Sequence, residues 1–134
     1  MEEEEDEAPS DILEVRVLVT EADKAPFESW LRRLRDTMAR QRILARLTRV
    51  EKTGNLGDHK SVGQGVWELR LDYGPGYRIY FGRLETALIL LIAGGDKSTQ
   101  DNDITEAQQL WLLYQNMLGD ENNEDEKPGR RFRR

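Results

Sequence analysis

Val66-Trp67-Glu68-Leu69-Arg70-Leu71-Asp72-Tyr73-Gly74-Pro75-Gly76-Tyr77-Arg78-Ile79-Tyr80-Phe81 decides the fold. Val66 to Tyr73 alternates, with Trp67, Leu69, Leu71 and Tyr73 on one face and Glu68, Arg70 and Asp72 on the other. That is the period of a strand. Gly74-Pro75-Gly76 turns the chain, and Tyr77 to Phe81 returns as the partner strand. Gly82 to Glu85 turns again, into Thr86-Ala87-Leu88-Ile89-Leu90-Leu91-Ile92-Ala93. A run so uniformly apolar predicts a strand covered on both faces and placed centrally in the sheet.

Upstream, Leu13 to Thr20 alternates, is rich in valine and predicts a first strand. Asp23 is placed to cap a helix with Pro26 in its first turn. Phe27, Trp30, Leu31, Leu34 and Met38 recur at helical spacing and predict its buried face. Arg40 to Lys52 predicts more helix, with Ile43, Leu44, Leu47 and Val50 inward. No proline or glycine separates the two stretches, so one bent helix and a helical hairpin are both open. Gly54, Gly57, Gly63 and Gly65 mark a loop-rich passage before the hairpin. Downstream, Asp103 and Glu106 have capping-box spacing and predict a last helix, with Ile104, Ala107, Leu110, Trp111, Tyr114 and Met117 inward. Strand, two helices, three antiparallel strands and a helix predict an α+β domain over residues 12–119, with its helices on one side of the sheet. Residues 1–11 and 120–134 read as disordered charged tails.

Of 134 residues, 37% are hydrophobic and 34% charged, which fits one small domain. The absence of cysteine excludes disulfides, thiolate metal sites and a cysteine nucleophile, and one histidine, His59, cannot build a histidine-rich site. No metal and no cofactor are expected. The longest apolar run, Ala87 to Ala93, is too short to span a bilayer, and the acidic start is unlike a secretion signal, so a cytoplasmic protein with no membrane partner is expected. The net charge of -6 conceals a segregation. Residues 1–11 carry seven acids and no base, whereas Arg32 to Lys60 carries nine bases against three acids. The folded part presents a basic stripe.

Three motifs then carry a resemblance. They are Gly54 to Arg70, Tyr73-Gly74-Pro75-Gly76-Tyr77-Arg78-Ile79-Tyr80-Phe81, and Gly94-Gly95-Asp96-Lys97-Ser98-Thr99-Gln100. In this order and spacing they resemble the HigB-like "addiction module killer protein" branch of the RelE/ParE toxin superfamily, over about Phe27 to Leu118. The resemblance implies a RelE-like fold. It also implies a toxin silenced by a cognate antitoxin, often of helix-turn-helix type, through which the complex binds operator DNA. Its activity would be metal-independent cleavage of messenger RNA at the ribosome. The alternatives are a ParE-like gyrase poison and a non-catalytic binding protein.

Cleavage through a ribose 2′-hydroxyl needs a proton acceptor, cations for the crowded phosphate and a donor for the departing oxygen. Arg70 projects from the polar strand face, and a guanidinium is a forked donor suited to phosphate oxygens. By resemblance, Arg70 and Arg78 fall where relatives carry cationic site residues, and Lys97 lies in a loop that relatives enrich in bases. These three are the candidate catalytic residues. Lys60, Arg42, Arg46 and Arg49 are candidate RNA contacts; the stripe to which the arginines belong would equally receive an acidic antitoxin segment. Tyr73, Tyr77 and Tyr80 offer rings for packing or for stacking on a base, with Tyr80 the candidate RNA contact. His59, in a glycine-flanked loop, reads as an exposed histidine outside the site.

Overall fold

The computed structural model describes residues 13–85, 87–120 and 129–132. Chain order is β1 (Glu14–Val17), α1 (Pro26–Arg33), α2 (Thr37–Thr53), β2 (His59–Gly63), β3 (Val66–Leu71), β4 (Tyr77–Leu84), β5 (Leu88–Asp96), α3 (Gln100–Asp120) and β6 (Arg130–Arg131). The strands form one sheet in the order β2-β3-β4-β5-β1-β6. β2 to β5 is an antiparallel meander, β1 lies parallel to β5, and β6 closes the far edge antiparallel to β1. The α+β class is as expected, with a sheet larger than the pattern predicted.

The helices occupy both faces of the sheet, not one. Phe27 and Leu31 of α1 and Ala39, Ile43, Leu47 and Val50 of α2 cluster with Val15, Val17, Leu69, Ile79, Phe81, Ile89 and Leu91. On the opposite face, Ala107, Trp111 and Tyr114 of α3 cluster with Leu18, Val66, Tyr80, Leu90 and Ile92. This is why β5 is apolar from Leu88 to Ala93: each face has its own helix layer to meet. Gly82 belongs to the second face, where a Cβ would collide with the Trp111 ring. The absent side chain lets the indole lie flat on β4.

Several local expectations are corrected, and one open choice is decided. α1 and α2 are separate helices because Leu34 turns extended and the Asp36 side chain accepts from Ala39 N at 3.2 Å, capping α2. Met38 therefore starts a new helix and is exposed. α1 itself begins after Ala25 with Pro26 at its first position, and Asp23 does not cap it. α3 begins at Gln100, entered through a short turn at Lys97–Thr99 that Asp96 caps, rather than at Asp103. His59–Gly63, expected as loop, is an edge strand held by pairing with β3 and by Gln108 Nε2 donating to Val62 O at 2.9 Å.

The C-terminal end also differs. Residues 130–131 pair with β1, Arg16 donates to Gly129 O at 3.1 Å, and Arg130 meets Glu28 at 2.8 Å. Phe132 is buried, its ring 5.6 Å from that of Phe27. The expected tails at residues 1–11 and 121–128 lie outside the described residues. Burial of an aromatic ring stabilises far more than the exposed ion pair beside it. Phe132→Ala is accordingly expected to cost about 3 kcal/mol in chemical denaturation. A loss below about 1 kcal/mol would mean that this strand contributes nothing to the fold.

Candidate functional site

In the β3–β4 hairpin, Arg70 pairs in register with Arg78, Glu68 with Tyr80, and Val66 with Gly82. Cross-strand partners point to the same face, so all six side-chain positions turn toward α3. Glu68 is fully buried there. From the first turn of α3, Gln100 Nε2 reaches both Glu68 oxygens, at 3.0 and 3.2 Å. Arg70 Nε lies 3.0 Å from one oxygen and Arg78 Nε 3.9 Å from the other. Neither Nε makes a hydrogen bond, and Arg78 Nε is too distant for one, so charge rather than directed bonding joins them to the carboxylate. Arg78 also donates to Tyr77 O at 3.1 Å and is 8% exposed. A carboxylate withdrawn from water requires such partners, and they in turn are fixed by it.

The free ends of this cluster open into a cleft of about 400 Å³ lined by Arg70, Arg78 and Lys97, with Asp58, Asp72 and the Gly74–Gly76 turn. Lys97 arrives from the far end of β5, where Asp96 Oδ1 accepts from Ser98 N at 2.8 Å and sets the turn. Gly76 closes the turn beside it with a φ of 84°, a conformation that favours glycine, and a Cβ there would make only ordinary contacts with Lys97 and Arg78. The three residues expected to be catalytic thus line one cleft, although β4 and β5 separate Lys97 from Arg70 in the chain. Asp58 and Asp72 temper its charge.

The expected RNA contacts divide. Lys60 is exposed on β2 opposite Glu68, hence on the cleft face but outside the cleft lining. Arg42 is exposed, with its Cζ 4.4 Å from the Tyr73 ring centroid. Arg42 and Arg49 border a second hollow, of about 340 Å³, beside Tyr73. Arg46 serves the fold: its guanidinium donates to Leu56 O at 3.0 Å, Arg70 O at 2.9 Å and Asp58 O at 2.7 Å. Burial, and then Arg49, pull its pKa below the ordinary value against the opposing field of Asp58.

Tyr80 is the clear departure. It is fully buried in the α3-side core, so no face of its ring is open to a base, and its hydroxyl has no hydrogen-bond partner among the described residues. Tyr77 is likewise buried, edge-on to Trp30. His59 is exposed, its Nδ1 2.7 Å from Gly57 O, and its register with Leu69 puts it on the face opposite Arg70. Glu68 and Gln100 were missed. The one available signal was Glu68 set between apolar neighbours two residues before an arginine. Among the described residues, no group of three or more His, Cys, Asp or Glu is arranged to hold a metal. None of their helices is long and apolar enough to cross a membrane.

Burial raises the pKa of Tyr80, with Glu68 and Asp103 adding to it; burial also raises that of Tyr77, with Asp36 and Asp96 adding. A raised folded-state value means a contribution complete below the unfolded tyrosine value of about 10 and lost as pH climbs through the folded one. The denaturation midpoint should therefore be insensitive to these rings up to about pH 10 and decline above it. Tyr80→Phe should make that decline shallower. An identical alkaline profile in this variant would contradict the assignment.

Residues 29–112 match the family described as Phage derived protein Gp49-like (DUF891), a span that holds the whole Glu68 cluster, Lys97 and α2. The chain belongs to the Gp49-like family. An "Uncharacterized protein" of Haemophilus influenzae (strain ATCC 51907 / DSM 11121 / KW20 / Rd) is 49% identical over 84 residues, which cover 63% of this chain and 84% of the relative. This corrects the resemblance drawn from the three motifs: the family is Gp49-like, a distinct toxin-like family, and not RelE/ParE. The Gp49-like family is associated with toxin–antitoxin systems.

Proposed function

We propose that this Gp49-like protein is the toxin of a toxin–antitoxin pair and a metal-independent endoribonuclease acting on messenger RNA at the ribosome. The observation that carries the reading is the convergence of Arg70, Arg78 and Lys97 on one cleft, with both guanidiniums steered by the buried Glu68. Two forked donors on adjacent strands suit the non-bridging oxygens of a phosphodiester. As the 2′-oxygen bonds to phosphorus and the bond to the 5′-oxygen breaks, charge gathers on those oxygens, where fixed cations contribute most. Lys97 is the proton donor for the departing 5′-oxygen. Asp58 and Asp72 are the cleft-lining carboxylates available to accept the 2′-hydroxyl proton. Glu68 is engaged by Gln100 and two arginines and serves to position them.

An antitoxin partner follows from the family association, and action at the ribosome implies the cytoplasm. The test adds purified protein to a cell-free translation reaction. Protein synthesis should stop, with message fragments ending in 2′,3′-cyclic phosphate and 5′-hydroxyl groups. Intact messages at full protein dose would exclude the nuclease reading.

A further inference from the structure

Resting on the RNA reading above, we infer that the hollow beside Tyr73 and Arg42 is a nucleobase subsite, taking the base next to the phosphate held by Arg70 and Arg78. Sequence alone favoured Tyr80 for stacking, but that ring is sealed in the core. The exposed alternative is a composite. The Arg42 guanidinium sits over Tyr73, Cζ 4.4 Å from the ring centroid, while its outer side faces solvent. A guanidinium held against an aromatic ring keeps its plane and loses little freedom when a base stacks on it.

Three features direct a nucleotide to this place. The hollow adjoins the cleft across the end of β3, where Leu71 and Asp72 line both. Ala45, Leu71 and Tyr73 give it apolar surface, while Arg42 and Arg49 supply charge for a flanking phosphate. Asp72, at the junction, repels phosphate there and accepts hydrogen bonds from the amino or imino groups of a base edge. Arg46 keeps the two compartments in fixed relation, since it binds carbonyls of both the loop before β2 and the end of β3. A base reaches Arg42 only when unstacked from its neighbours, so the ligand is single-stranded RNA.

The experiment is equilibrium binding of the full chain to a short single-stranded RNA, 2′-O-methylated against cleavage, with an abasic residue moved along it one position at a time. At one position, loss of the base should weaken binding by about tenfold. Arg42→Lys keeps the charge and removes the plane. It should erase that position dependence while leaving the salt dependence of affinity unchanged. A flat abasic scan in the wild type, with binding intact, or an unchanged scan in Arg42→Lys, overturns the subsite and leaves the cleft reading standing. If the wild type binds none of these RNAs, the RNA reading falls and the subsite with it.

Discussion

Arg70→Ala is expected to slow message cleavage by at least about a hundredfold, the scale of losing one preorganised donor to a transition-state oxyanion. Its fold should survive. The Arg70 side chain is 33% exposed, and Glu68 keeps Arg78 and Gln100 when Arg70 is gone. Single-turnover cleavage and thermal unfolding, measured on the same preparation, separate the two effects. Arg70→Lys should recover only part of the rate, because a point charge does not replace the fork. Arg78→Ala is different. Arg78 is nearly buried, so its removal leaves a void beside Glu68 even though Arg70 and Gln100 remain, and lost activity would come mixed with lost stability. An Arg70→Ala protein that cleaves within about threefold of the wild type would remove Arg70 from the chemistry.

Glu68→Ala is expected to destabilise the fold by about 3–5 kcal/mol, the cost of breaking a buried ion cluster from one side. Two guanidiniums lose the carboxylate that balances them, and Gln100 loses its acceptor. For a domain of this size the melting temperature should fall by about 10 °C or more. Replacing Glu68, Arg70 and Arg78 together by apolar residues of similar volume should return much of that stability while abolishing cleavage. That result would show that the charges serve the cleft rather than the fold. A Glu68→Ala protein within about 1 kcal/mol of the wild type would show that the cluster is not coupled as the geometry indicates.

Much of the fold was legible in the hairpin. Alternation in β3, the Gly74-Pro75-Gly76 turn and the apolar β5 each follow from short-range rules, and the structure has all three, although β4 runs on through Leu84 and β5 through Asp96. What failed depends on contacts distant in sequence. His59–Gly63 has little strand propensity of its own and is a strand because β3 supplies partners. α3 covers the face that carries Glu68 and Tyr80, so a strand expected to be half polar is buried on both sides. That single misplacement made Tyr80 look available and hid Glu68. Arg70, Arg78 and Lys97 could be singled out because Arg70 lies near the end of β3, Arg78 near the start of β4 and Lys97 just past β5. Their meeting in one cleft was not legible, since it depends on β5 pairing beside β4 and delivering Lys97 next to the hairpin turn. The family was misread for a related reason: short motifs of glycine, arginine and lysine report a hairpin and a charged cleft more strongly than a lineage.

The most direct measurement is mapping of RNA 5′ ends after controlled induction in a bacterial host, with pulse labelling of new protein, for the wild type and Arg70→Ala. The account predicts a rapid halt of protein synthesis with new 5′-hydroxyl ends inside translated messages, absent in Arg70→Ala produced at the same level. Growth arrest with intact messages, or equal cutting by the two proteins, would contradict it.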